Sequence, residues 1–195
     1  CGDVKWRGVR IDLDKANNLK TQIQKEESTI LRYLKKEVGF EVEVFAPTSV
    51  AKAFDKKGIQ YNKTPSGLPS FDKNFLATLN DPFSSKIVEA RELFKARSTF
   101  IDSLLKHETN GRIHGEINQL KSDQGGTITG RLSMSNPNLQ QIPARNEKIG
   151  PMIRSIFIPE EGSKWGSFDY SQQEPRLVVH FAALTYGGLD GADDF

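Results

Sequence analysis

The residues best suited to chemistry stand close together near one end of the chain, in Ser167-Phe168-Asp169-Tyr170-Ser171-Gln172-Gln173-Glu174-Pro175-Arg176-Leu177. Residues 164–168 read as a short buried strand, because Trp165 and Phe168 are apolar and Gly162 marks a start. A helix is expected next. Ser171 is the candidate N-cap, Pro175 is tolerable only in a first turn, and Leu177, Val178, Phe181 and Ala182 give an apolar stripe. Asp169 is thereby set on a sheet rim beside a helix N-terminus, with Glu174 in the first turns. A hard divalent cation is served by such a rigid oxygen ligand, water or phosphate filling its other positions. An Asp before a helix also caps it, and a Glu in a first turn also answers the helix dipole, so spacing alone leaves both readings open.

A second stretch, Thr129-Gly130-Arg131-Leu132-Ser133-Met134-Ser135-Asn136-Pro137-Asn138-Leu139-Gln140-Gln141-Ile142-Pro143-Ala144-Arg145, is polar and turn-rich, with few residues that packing would explain. Asn and Gln carry donors and acceptors that can read base edges or sugars. Arg131 and Arg145 suit phosphate or minor-groove acceptors. An ordinary surface loop has the same composition.

Both stretches match a known pattern. DYSQxExR resembles the first palm motif of family A DNA polymerases, the bacterial DNA polymerase I group, with Pro175 in place of the commoner Leu. TGRLSxxxPNLQxIPxR is close to a signature of the same family, and its length makes it specific. The segments GVRIDLDKA, APTSVAKAFDKKGI, KTPSGLPSFDKNFLATL and KARSTFIDSLL follow in the family's order. The QQEP form is similar to phage enzymes.

The resemblance implies roles, residue by residue. Asp169 would bind two Mg²⁺ ions, helped by the backbone carbonyl of Tyr170; a second carboxylate ligand would lie outside this chain. Tyr170, Ser171, Gln172, Gln173 and Glu174 would border the incoming nucleotide, Glu174 closing the 2′ side of its sugar. Arg145 would hold the triphosphate. Arg131 would lie in the minor groove at the primer end, where acceptors are shared by all correct pairs. Asn138 and Gln140 would touch the template–primer duplex. Arg97, Ser98 and Thr99 would meet the primer backbone, Arg97 being the best phosphate candidate because guanidinium matches phosphate geometry; Lys95 fits a solvated face equally well.

These sites need elements to hold them. Residues 8–11 form a candidate strand. Asp12 or Asp14 then caps a helix with Leu13, Ala16, Leu19, Ile23, Ile30 and Leu34 on one face, ended by Gly39. Thr48 or Ser49 caps a second helix, stopped by Gly58. Residues 64–69 are a turn-rich connector, and Ser70 opens a helix with Phe71, Phe75, Leu76 and Leu79. Asp81 and Pro82 start a long helix in which Phe83, Ile87, Ala90, Phe94, Ile101 and Leu104 recur to about Lys106. Residues 112–120 alternate as a strand does, 121–126 are a turn, and 154–159 alternate again.

The chain has 195 residues, 27% charged and 36% hydrophobic, which is enough for a core and excludes disorder. The net charge of +2 neither demands nor excludes a polyanion. Residues 111–155 are mildly basic, with Arg112, Lys121, Arg131, Arg145, Lys148 and Arg154 against Glu116, Asp123 and Glu147. A single cysteine, Cys1, excludes an internal disulfide and a cysteine metal cluster. No apolar run is long enough to span a bilayer, and a signal-like start, a Walker loop and a GxSxG elbow are all absent. Beginning at Cys1 and stopping at Phe195, the sequence reads as a piece of a longer protein.

The expected fold is α+β: an N-terminal helical region over 1–69, thumb helices over 70–110, and the first part of an antiparallel-sheet palm over 111–195. The expected function is template-directed addition of deoxynucleotides to a primer 3′-hydroxyl, with DNA primer–template and deoxynucleoside triphosphates as partners. A cytoplasmic, membrane-free monomer is expected, and this piece alone is expected to be inactive. A single-subunit RNA polymerase and a non-catalytic primer–template binding module are the alternatives.

Overall fold

The computed structural model describes residues 2–122, 125–143 and 146–187. They group into two compact units, one ending at Pro159 and one starting at Glu160.

The first unit is mainly helical. A short helix α1 (Gly2–Arg7) precedes strand β1 (Val9–Arg10) and the long helix α2 (Leu13–Val38). Asp12 caps α2, its Oδ1 accepting from the Lys15 amide at 2.9 Å, and Gly39 ends it in the left-handed region at φ 75°. Helix α3 (Pro47–Lys57) also stops at a left-handed glycine, Gly58, but it starts two or three residues earlier than expected: Ala46 is the N-cap and Pro47 the first helical residue. The ring that fixes φ there pre-forms the first turn, so no Thr48 or Ser49 cap is needed. Ser49 instead accepts from the Glu43 amide at 3.0 Å. A two-residue pair, β2 (Asn62–Lys63) with β3 (Pro69–Ser70), closes the 64–69 turn. Ser70 therefore lies in a strand, and Asp72, whose carboxylate accepts from the Phe75 amide, caps α4 (Lys73–Thr78).

Asp81 and Pro82 start α5 (Pro82–Lys95) as the sequence requires. The long helix is then interrupted. Residues Ala96–Ile101 form a π-helical turn, the Asp102 amide reaching back five residues to the Arg97 carbonyl, and α6 (Asp102–Lys106) completes the rod. Phe94 is not in the core: Leu93 takes that place, while Phe94 is 42% exposed and packs at a tilt against Phe45, ring centroids 4.9 Å apart.

Helix α2 packs along α5. Ile23, Ile30, Leu34 and Val38 meet Phe83, Ile87, Ala90 and Leu93 in one core. Phe54 of α3 anchors its aromatic end, with Phe71 at 4.9 Å, Phe83 at 6.1 Å and Tyr61 at 6.3 Å. Arg91 braces this end by donating to the carbonyls of Val44 (2.7 Å) and Phe71 (2.6 Å), and burial lowers its pKa.

Beyond α6, β4 (Glu108–Thr109) turns back onto β5 (Arg112–Ile113), which pairs with β1 to give an antiparallel sheet in the order β1-β5-β4. The expected strand over 112–120 is split at His114-Gly115, and β6 (Glu116–Asn118) pairs instead with β7 (Ser133–Ser135). Residues 154–159 are only partly strand-like: helix α7 (Ile149–Arg154) ends at Arg154. Ile156 to Ile158 then run beside Arg10 to Asp12, with the Asp12 amide on Ile156 O at 2.8 Å and the Ile158 amide on Arg10 O at 3.1 Å. The second unit holds one described helix, α8 (Gln173–Tyr186). The mix of helices and small antiparallel sheets is α+β.

Candidate nucleic-acid and nucleotide site

Within the first unit, the polar stretch around Arg131 is built on the β6–β7 pair, with Glu116 opposite Ser135 and Asn118 opposite Ser133. Residues 133–135, loop by composition, are a strand here, and their Ser-Met-Ser alternation is the sequence signal for it. Met134 is held here against Gly115, where a Cβ would come within 2.8 Å of its terminal methyl. The connection between the strands is tied by hydroxyls. Ser133 Oγ accepts from the Gly126 amide at 3.1 Å, and Thr127 Oγ1 donates to the Arg131 carbonyl at 2.7 Å. Arg131 is exposed beyond this turn. A short 3₁₀ turn (Leu139–Gln141) follows, capped by Asn138, whose Oδ1 accepts from the Gln140 amide at 3.1 Å. Gln140 donates from Nε2 to the Leu132 carbonyl at 3.1 Å. Both amides therefore shape the loop that carries them.

The π turn brings the other expected DNA contacts beside this loop. Thr99 and Asn138 line one hollow of about 200 Å³. Ser98 and Thr99 also line a wider groove of about 580 Å³ together with Lys73, Lys95, Gln141 and Asn146. Lys73, Gln141 and Asn146 were not singled out from the sequence. Asn146 was findable as a helix-start residue, since its Oδ1 accepts from the Ile149 amide at 2.7 Å ahead of α7. Arg97 is placed differently from its neighbours. Its guanidinium lies 3.1 Å from Glu27 Oε2 and 3.3 Å from Asp102 Oδ2, and 5.1 Å from the centre of the Phe94 ring.

In the second unit, Asp169 and Tyr170 lie on an irregular lead-in to α8. The expected strand over 164–168 is absent, Trp165 is 62% exposed and Phe168 98%. A strand needs a neighbour for its amides and carbonyls, and no described residue of this unit supplies one. Ser171 is not the cap. Gln172 holds that place in the left-handed region at φ 54°, without a side-chain hydrogen bond, and Gln173 opens the helix. The Ser171 carbonyl instead accepts from Arg176 Nε at 3.1 Å. Glu174 and Pro175 fall in the first turn as expected, where both are tolerated. Asp169 is an exposed carboxylate ahead of a helix start, with its neighbour's carbonyl beside it in the chain. That is a hard oxygen donor set suited to Mg²⁺ but small for it, since six oxygens are wanted. Among the described residues no group of three His, Cys, Asp or Glu is gathered for a metal. Arg145 lies outside the described residues.

Comparison with known proteins adds to this geometry. The family described as DNA polymerase family A matches residues 13–185. A DNA-directed DNA polymerase of Pseudomonas phage M6 is 42% identical over 93% of this chain and 29% of its own length. DNA polymerase I of Synechocystis is 36% identical over 90% of this chain and 18% of its own. Among solved structures, the POL domain of Pol1 from M. smegmatis, in complex with DNA primer-template and dNTP, superposes with a TM-score of 0.73 at 28% identity. That match covers 91% of this chain and 31% of that one. The chain thus spans about three-tenths of the phage relative it matches. Both polar stretches fall inside the matched region, and this chain belongs to DNA polymerase family A.

Proposed function

We propose that this chain forms the thumb and the first part of the palm of a template-directed DNA polymerase, in which a primer 3′-hydroxyl attacks the α-phosphate of a deoxynucleoside triphosphate and releases pyrophosphate. The carrying observation is that one family match runs unbroken through both the Arg131 loop and Asp169. On this reading, residues 1–69 lead into the thumb, residues 70–110 complete it, and the palm begins near 111. Two Mg²⁺ ions, when bound, lower the pKa of the primer hydroxyl and stabilise the leaving oxygens.

The chain's own residues position and neutralise. Asp169 and the Tyr170 carbonyl supply oxygens to the ions. Tyr170, Ser171, Gln172, Gln173 and Glu174 border the nucleotide, Glu174 against its 2′ position, and Arg145 meets the triphosphate. Ser98, Thr99, Asn138 and Gln140 face the duplex. The groove that Ser98 and Thr99 share with Gln141 and Asn146, and the hollow that Thr99 shares with Asn138, support that reading for one stretch of backbone contact. Arg131 reports pair geometry from the minor groove. The protein works as a monomer in the cytoplasm; among the described residues no helix is long and apolar enough to cross a membrane.

Primer extension tests this directly. The complete protein that carries this sequence should extend a primer on a DNA template with deoxynucleotides and Mg²⁺. Asp169→Ala should lower the rate by at least roughly a hundred- to a thousandfold with folding intact. Unchanged extension by Asp169→Ala would remove Asp169 from the reaction.

A further inference from the structure

Arg97 sits where a primer-backbone contact is expected, yet its donors are already engaged. Nε lies 3.3 Å from Glu27 Oε1 and 3.2 Å from Oε2; Nη2 lies 3.1 Å from Oε2, and Nη1 3.3 Å from Asp102 Oδ2. Lys20 closes the far side, its Nζ 2.7 Å from Asp102 Oδ1. Two cations and two carboxylates thus alternate from α2 to the π turn and back. The side chains of Arg97 and Glu27 are only 17% and 13% exposed, and the Phe94 ring lies beside the guanidinium. A guanidinium reaching out for a phosphate would leave the shielded Glu27 carboxylate unpaired, which is strongly unfavourable. Ser98 and Thr99 follow Arg97 directly, on the same wide turn, and line the groove.

We propose that Arg97 is a positioning residue: it clasps the π turn to α2 through Glu27 and Asp102, and so sets the groove-facing hydroxyls of Ser98 and Thr99, without itself touching DNA. This rests on the polymerase reading above. A direct phosphate contact and a clasp differ in two measurable ways. Removing a contact reduces the number of counterions released, so the slope of log affinity against log salt falls by roughly 0.9. Removing a clasp leaves that slope unchanged, and breaking it from the acidic side has the same effect as breaking it from the basic side.

The test measures primer–template affinity of the complete protein across a salt series, for Arg97→Ala, Glu27→Gln and the double variant. The expected result is a loss of roughly three- to thirtyfold for each single change. The double change should be no weaker than either single one, with the salt slope of the unaltered protein throughout. Asp102→Asn loosens the same clasp from its other carboxylate and should act in the same direction, which keeps the test open if Glu27→Gln unfolds. Thermal melts on the same samples separate affinity from folding. The clasp is overturned if Glu27→Gln and Asp102→Asn bind as the unaltered protein does, even at lowered melting temperature, or if Arg97→Ala alone weakens binding with a shallower slope. Failure of the unaltered protein to bind primer–template overturns the underlying reading as well, and is told apart from the other outcomes by that control.

Discussion

Glu174 is the residue at which a folding effect and a functional effect can be read by separate measurements. It lies in the first turn of α8, where a carboxylate also suits the helix dipole. Two effects therefore divide cleanly on substitution. Glu174→Ala should cost the helix about 0.3–1 kcal/mol, while discrimination against ribonucleotides falls by roughly ten- to a hundredfold. Side-by-side incorporation of a ribo- and a deoxynucleotide by the complete protein measures it, and an unchanged ratio removes the sugar filter. Glycine positions are decided by local crowding in the same way. At Gly8, φ is +64° and a Cβ would come within 2.7 Å of the Ile113 carbonyl, so the β1–β5 pairing depends on the absence of a side chain there.

The helix that begins at Pro82 shows what an element owes to its first residue. Asp81 Oδ2 accepts from both the amide and the hydroxyl of Ser84, at 2.9 and 3.2 Å, and Ser84 is fully buried. Asp81→Ala removes the cap and strands a buried hydroxyl at once, so a loss of about 1–3 kcal/mol is expected, read from urea unfolding. Such starts were legible in sequence: Asp12, Asp81 with Pro82, and the stops at Gly39 and Gly58 all occur as their chemistry requires. Where a segment's structure depends on something distant, sequence was less informative. Residues 164–168 have strand composition but, among the described residues of their unit, no strand to pair with. Ser70 pairs with Asn62 instead of capping a helix, because the 64–69 turn brings them together. Phe94 has the right helical spacing for the core, yet the wide turn that follows it lies outside any 3.6-residue template. The same holds for the candidate site. The two polar stretches announce themselves by residue type, but the grooves that join Thr99 to Asn138 arise from tertiary packing.

At the scale of the molecule, the first unit is tied by charge as well as by its core. Lys148, just before α7, reaches Glu26 of α2 at 3.0 Å and Glu89 of α5 at 3.6 Å. The Glu26 carboxyl is held below its ordinary value of 4.5, first by a hydrogen bond from Gln22 and then by Lys148. Lys148 is raised above 10.5, chiefly by its hydrogen bond to Glu26. The signs follow from linkage. The carboxylate's contribution is present above pH 4.5 and fades as pH falls through its lowered value; the ammonium's is present below pH 10.5 and fades as pH rises through its raised value. Solvent screens this pair, so Glu26→Gln should cost about 0.2–1 kcal/mol at pH 7. The cost should shrink as pH falls below 4.5 and vanish only below the lowered carboxyl value, as unfolding midpoints followed from about pH 7 into acid would show. A larger consequence comes from the rod made of α5, the wide turn and α6. From Ala96 to Ile101 is five residues, one too many for a regular turn, yet both side chains are buried. The surplus residue works as a phase shifter: it is taken up inside the wide turn, so the buried stripe beyond it is displaced by about 100° from where a regular helix of this sequence would carry it. Deleting any one of residues 97–100 would let a regular helix run through with α6 keeping its bearing, and what would be lost is the wide turn on which Ser98 and Thr99 stand.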